Sequence, residues 1–250
     1  MYKFLLRPKW IAFHLLVIAM VVVMINLALW QVNRLSQRND FNDQVRTNQR
    51  ADTRPLGNVL TTDADPKTIE WLPVTATGTY LADEELTLVN ISQFGTAGVD
   101  AISVLVLDDG TWILVNRGFI PLADEVPAPP AGEQTVVGYL RQSAKHRSGS
   151  IDNNAEGELT EIIRIDIPRI DDQVEGDLAP MYIQSLTETN SAPYPVAAPT
   201  LTGGSHLSYA IQWSIFSICA IVGWVLVVRK ALAKKELPNR PSEMRSSQQP

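Results

Sequence analysis

Residues 10–30 read WIAFHLLVIAMVVVMINLALW, and residues 207–228 read LSYAIQWSIFSICAIVGWVLVV. Neither stretch contains Asp, Glu, Lys or Arg. At about 1.5 Å of rise per helical residue, either can cross a hydrocarbon core of roughly 30 Å. Two such stretches near opposite ends leave the residues between them as one domain on one side of a membrane. The expected architecture is a two-span membrane protein. Transmembrane helices at 10–30 and 207–228 flank an extracytoplasmic domain, 31–206, with a short N-terminal segment, 1–9, and a basic tail, 229–250, partly disordered.

Charge orients this arrangement. Lys3, Arg7 and Lys9 precede the first span without an acid, and the tail holds six basic residues against Glu236 and Glu243. The segment between carries 25 acidic against 12 basic residues, within a net charge of −6. The positive-inside rule then puts both termini in the cytoplasm and the acidic domain outside. Arg34, Arg38, Arg46, Arg50 and Arg54 complicate that reading, but Asp40 and Asp43 dilute them and the cluster from Arg229 to Lys235 is more compact. The first stretch is longer than the apolar region of a cleaved signal, and no small-x-small site follows it, so it reads as a retained anchor. Without an Arg/Ser-rich amphipathic leader, the expected location is a bacterial plasma membrane.

The single cysteine, Cys219, lies inside the second apolar stretch. This excludes an internal disulfide framework and a thiolate copper carrier. An acidic outer domain argues against nucleic acid and anionic lipid as its partners, while the two spans make the lipid bilayer one. No nucleophile–base pair, phosphate loop or HExxH spacing is present, and an enzyme is not expected.

The first helix is expected to continue as a polar extension to about Arg50. Beyond it, segments 70–80, 86–91, 99–107, 111–120, 135–141, 159–167 and 181–186 each read as a strand. The clearest is the hairpin VLVLDDGTWILV, in which Asp108, Asp109 and Gly110 supply the turn and both arms are apolar enough to be buried. These short strands predict a β-rich, antiparallel domain, barrel- or sandwich-like. Segments 121–134 and 142–158 read as surface loops.

Three short motifs carry the chemistry. The exit of the first span, LALWQVNR, places Trp30 as an interfacial anchor, with Gln31 and Arg34 able to meet polar partners at headgroup depth. The second is NRGFIP. There Gly118 permits an unusual dihedral, Pro121 ends a strand, and Arg117 either grips a carboxylate or stands in solvent, while Asn116 opens the motif. The third, HLSYAIQW, opens the second span. On a helix, His206, Tyr209, Ala210, Trp213 and Ser217 share one stripe, so an imidazole stands above aromatic rings at the outer boundary. Such an imidazole serves either as a hydrogen-bonding cap or as an axial ligand for haem iron.

Held in this order between two terminal spans, these motifs resemble the Surfeit locus protein 1 family, membrane-anchored assembly factors of haem-copper cytochrome c oxidase. The resemblance rests on Trp30, Gln31 and Arg34, on Asn116, Arg117, Gly118 and Pro121, and on His206, Tyr209 and Trp213. Gly95, Gly98 and the run VGYLR at 137–141 match as well. Ala28 and Phe119 depart from the pattern, where the family usually has Gly and Trp. The resemblance implies help in building the oxidase's catalytic subunit or its assembly intermediates, with haem a held transiently at His206, near Tyr209 and Trp213. The alternative is a stable accessory subunit of the mature oxidase or a respiratory supercomplex, acting by contact without haem. A two-span sensor is disfavoured by the short cytoplasmic ends.

The histidines restrict any haem site. Only His14, His146 and His206 exist. In an antiparallel helix pair, His14 lies about 24 Å from the level of His206, so one iron cannot take both. This leaves His206 alone, His206 with His146, or a site between subunits. Asn26, deep in the first span, is expected to hydrogen-bond across to Tyr209 or Gln212.

Overall fold

A computed structural model describes residues 5–144, 153 and 157–236. The elements follow in the order α1 (Pro8–Gln49), β1 (Arg54–Pro55), α2 (Leu56–Val59), α3 (Pro66–Ile69), β2 (Pro73–Gln93), β3 (Thr96–Leu107), β4 (Trp112–Pro121), β5 (Glu133–Gln142), β6 (Glu161–Ile162), α4 (Ile167–Asp171), β7 (Met181–Ser185) and α5 (His206–Glu236). The chain divides into two compact units, one of Met1–Phe41 with Leu201–Pro250 and the other of Asn42–Thr200.

The first unit is a helix pair. α1 and α5 are each long and apolar enough to cross a membrane, with mean hydropathy of 2.6 and 2.1 over their apolar windows. Only 6% of each window is buried, so these are not core helices of a soluble domain. On α1 the less exposed positions His14, Val17, Val21, Met24, Ala28 and Gln31 recur at alternating spacings of three and four. On α5 His206, Ala210, Trp213, Ser217, Ala220 and Trp224 do the same. A repeat of 3.5 residues keeps one seam facing a partner helix. Two hydrogen bonds lock the register: Trp224 Nε1 donates to His14 Nδ1 at 2.9 Å, and His206 Nδ1 lies 2.8 Å from Gln31 Oε1. Extending that register sets Ala28 level with Ala210, where two methyl groups let the backbones approach. The two polar rungs stand roughly 26 Å apart along the helices, close to the width of a bilayer's apolar core. Asn26 departs from expectation: its Nδ2 donates to Val22 O of its own helix, at 2.8 Å. The carbonyl one turn earlier is always within reach, so the amide needs no partner on α5.

α1 does run on past its apolar part, to Gln49. In the second unit its last turns bury Asn42 and Val45, and Asn48 Nδ2 donates to Thr68 O and Glu70 O at 2.8 and 2.7 Å. Pro55 and Gly57 follow and cannot extend the helix.

The sheet of this unit is mainly antiparallel, as the strand pattern predicts, with parallel ladders at β1–β2, β2–β6 and β4–β7. The antiparallel pairings β2–β3, β3–β4, β5–β7 and β2–β5, together with β4–β7, close into a circuit of five strands. The hairpin of β3 and β4 pairs Leu105 with Ile113 and Val106 with Trp112. Its turn closes through Gly110 N to Leu107 O at 2.9 Å, with Thr111 N donating to Asp109 Oδ1 at 2.9 Å.

Apolar side chains occupy both faces of these central strands. Leu105, Ile113 and Val115 join one cluster with Val74, Leu140 and Ile183; Ile102, Val104 and Leu114 join another with Leu86, Ile162 and Ile170. This explains why the hairpin arms read as continuous apolar runs rather than alternating ones.

Two strand boundaries differ from the sequence reading. Segments 70–80 and 86–91 form one strand, because residues 81–85 contain no Gly or Pro and a register shift between Tyr80 and Glu85 absorbs the excess. Segment 159–167 is almost wholly irregular. Only Glu161 and Ile162 pair, and Ile162, Ile165 and Ile167, but not exposed Ile163, enter the second cluster around the turn where Pro168 opens α4.

Candidate functional site

The structure brings the first and third motifs together. Trp30, Arg34, Gln37, Arg38, Phe41 and His206 line a cleft of about 480 Å³ at one end of the helix pair. Gln31 fixes His206 from beside it through the 2.8 Å contact. When the imidazole donates from Nδ1 to that carboxamide oxygen, its Nε2 keeps a lone pair, the tautomer a metal ligand needs.

Glycine at 204 suits the backbone leading into α5. Gly204 has φ +64°, and a Cβ there would stand 3.7 and 4.0 Å from His206 Cδ2 and Nε2. A side chain there would be strained by the backbone, although its Cβ would meet the imidazole only at ordinary contact distance.

Two guanidiniums stand on aromatic rings in the cleft. Arg34 lies 5.8 Å from the Trp30 ring centre and Arg38 5.9 Å from that of Phe41, within cation–π range. Arg34 also donates to Gln37 Oε1 at 3.0 Å, and Arg38 Nε to Thr202 O at 3.3 Å. Tyr209 and Trp213 are not among the lining residues. Tyr209 is 47% exposed on the helix flank, and Trp213 sits in the seam, edge-on to Phe216. His146 lies outside the described residues.

Sequence reading missed Gln37, Arg38 and Phe41 as site residues. Their signal was spacing: Trp30, Arg34, Gln37, Arg38 and Phe41 fall on one helical face, three and four apart, once α1 is extended past the apolar run.

The second motif has a different setting, inside the β unit. Ala101 pairs with Gly118 and Ile102 with Asn116, leaving Arg117 as the extra residue of a β-bulge. The bulge aims Arg117 at Glu85, with NH1 2.5 Å from Oε1, at Ser103 Oγ, and at the carbonyls of Pro127 and Ala128. So the guanidinium does hold a carboxylate, but an internal one, and with its side chain only 7% exposed it is not a solvated strand end.

Gly118 has φ +134°, and a Cβ would approach Tyr194 O to 2.3 Å. Asn116 accepts from Gly118 N at 3.0 Å and donates to buried Asp100 at 2.8 Å. Pro121 ends β4.

Burial shapes the titrations here. It raises the Asp100 carboxyl, against the Asn116 hydrogen bond, and pushes Tyr80 up to about 12, against the Arg117 charge. It lowers Arg117, which Glu85 opposes. A cavity of about 180 Å³ touches Tyr80, Arg117 and Ser185, below the usual range of about 300–1,000 Å³ for ligand sites.

Fold and cleft define a class: a protein of two candidate membrane helices and one mixed β unit, with a histidine-bearing cleft at the end of the helix pair. The chain belongs to the SURF1 family, which it matches over residues 18–218. It is 28% identical over 227 residues to a SURF1-like protein of Mycobacterium bovis and to one of Mycobacterium tuberculosis, covering 88% of this chain and 83% of each. A SURF1-like protein of Monosiga brevicollis is 27% identical over 228 residues, 84% of this chain and 85% of that protein. The family is generally associated with cytochrome oxidase assembly.

Proposed function

We propose that this protein is a non-catalytic assembly factor for haem-copper cytochrome c oxidase that holds haem a at the cleft beside His206 while the catalytic subunit is built. In this reading the helices cross a bacterial plasma membrane, both termini are cytoplasmic, and residues 31–206 face outward. The basic flanks support that orientation. The observation that carries the proposal is the Gln31–His206 pair at the rim of a cleft of about 480 Å³.

The residues present fit the group. His206 offers Nε2, the ring nitrogen not engaged by Gln31, Trp30 and Phe41 add aromatic rings, and the volume lies within the usual range for ligand clefts. His206 would hold the group through its imidazole, and haem a, when bound, would supply the iron for that nitrogen. His14 is committed to Trp224 at the far rung and cannot be a second ligand to the same iron. Ligation by one imidazole suits a carrier that must release its cargo.

The test is genetic and spectroscopic. In cells lacking this protein, the oxidase should contain less haem a; the wild-type chain should restore it and His206→Ala should not. Full restoration by His206→Ala, with the chain bound to finished oxidase at fixed ratio, would favour an accessory subunit acting by contact alone.

A further inference from the structure

We infer that Arg34 and Arg38 form a clamp for two carboxylates carried on one ligand, so that the cleft takes a flat, amphiphilic dicarboxylic acid. The inference rests on the haem reading of the site and specifies which edge of the ligand the protein grips.

Charge supports it first. None of the six residues lining the cleft is acidic and two are arginines, in a chain of net charge −6. Both are exposed, and the guanidinium fork matches a carboxylate with two parallel hydrogen bonds.

Spacing supports it next. Residues four apart on a helix present side chains about 6 Å from one another on one face. Arg34 and Arg38 share that face but hold separate neighbours, Gln37 and Thr202, so each is placed to meet its own anionic group on one molecular edge.

Position supports it last. Arg34 lies one turn and Arg38 two turns beyond Gln31 on α1, roughly 5 and 10 Å further from the apolar run. A ligand bound to His206 would then lie with its apolar body toward the span and its carboxylates away from it. The ring contacts of Arg34 with Trp30 and of Arg38 with Phe41 hold both guanidiniums along this path.

The experiment titrates the full-length protein in neutral detergent with metal-free protoporphyrin IX, its dimethyl ester and ferric protoporphyrin, following tryptophan quenching and the Soret band. Wild type should bind the metal-free diacid at least about tenfold more tightly than the diester, and Arg34→Gln with Arg38→Gln should erase that preference. His206→Ala should leave it intact while removing the ligated Soret band of the iron form. Equal binding of acid and ester by wild type, or an unchanged preference in the double variant, overturns the clamp. Displacement of the diacid by equimolar phosphatidylglycerol also overturns it, making headgroup phosphate the occupant. If the metal-free diacid discriminates but iron gives no His206-dependent band, the clamp stands and the haem reading falls.

Discussion

Gln31 Oε1 and His206 Nδ1 meet at 2.8 Å, joining residues 175 positions apart at one end of the helix pair. The contact selects the ring orientation and, when Nδ1 donates, frees Nε2 for a ligand. Substituting Gln31 by Leu keeps the volume and removes the acceptor. Haem affinity should fall by about 10–100-fold, the usual effect of losing a metal ligand's own hydrogen-bond partner. Unchanged affinity by spectral titration would show that Gln31 does not orient the imidazole.

At the other rung, Trp224→Phe should cost little. Hydrogen bonds between membrane helices average about 0.6 kcal/mol. Helix-pair stability, measured by reversible unfolding in mixed micelles, should drop by roughly that amount. Haem binding should not change, because the rung is about 26 Å from His206.

In the β unit, removing Arg117 should be worse than removing Glu85. Arg117→Met strips Glu85, Ser103 and two loop carbonyls of their donor, while Glu85 keeps 28% of its side chain exposed and can recover water. Breaking a buried pair costs about 3–5 kcal/mol, and the solvent access of Glu85 puts Arg117→Met toward the lower end. Thermal melts followed by near-ultraviolet dichroism should place Glu85→Gln between wild type and Arg117→Met.

Asp100 gives the β unit a pH dependence with a definite sign. Its side chain is buried, its Oδ2 accepts from Asn116, and its Oδ1 has no partner among the described residues. Burial raises its folded-state pKa above the unfolded value. The protonated form is therefore favoured by folding, and its stability contribution is complete below the unfolded pKa. It is lost as pH rises through the raised folded value. Asp100→Asn should remove that slope and match or exceed wild-type stability at neutral pH, by about 1 kcal/mol. A variant less stable than wild type at neutral pH would contradict this account.

Much of the fold was legible from one-dimensional pattern. The spans, the long first helix and the 104–115 hairpin follow from hydropathy, the absence of breakers and turn chemistry. Less legible were features set by tertiary packing. Nothing local says that Glu85 and Arg117 will meet, because the bulges at 80–85 and 116–118 depend on strand register. Ile162, Ile165 and Ile167 look like a strand because burial demands apolar side chains whether or not a ladder forms. At the cleft, Trp30, Gln31, Arg34 and His206 could be named from their motifs. Arg38 and Phe41 could not, since their charge and aromaticity acquire meaning only when α1 carries Trp30's face two turns further.

The most direct measurement is a difference absorption spectrum of the full-length protein, purified in detergent from cells that make haem a, with wild type beside His206→Ala. The account predicts haem a at no more than one per chain in wild type and its loss in the variant, with the near-ultraviolet dichroism of the β unit unchanged. Wild type free of haem and purified with assembled oxidase at a fixed ratio, whatever residue stands at 206, would contradict it.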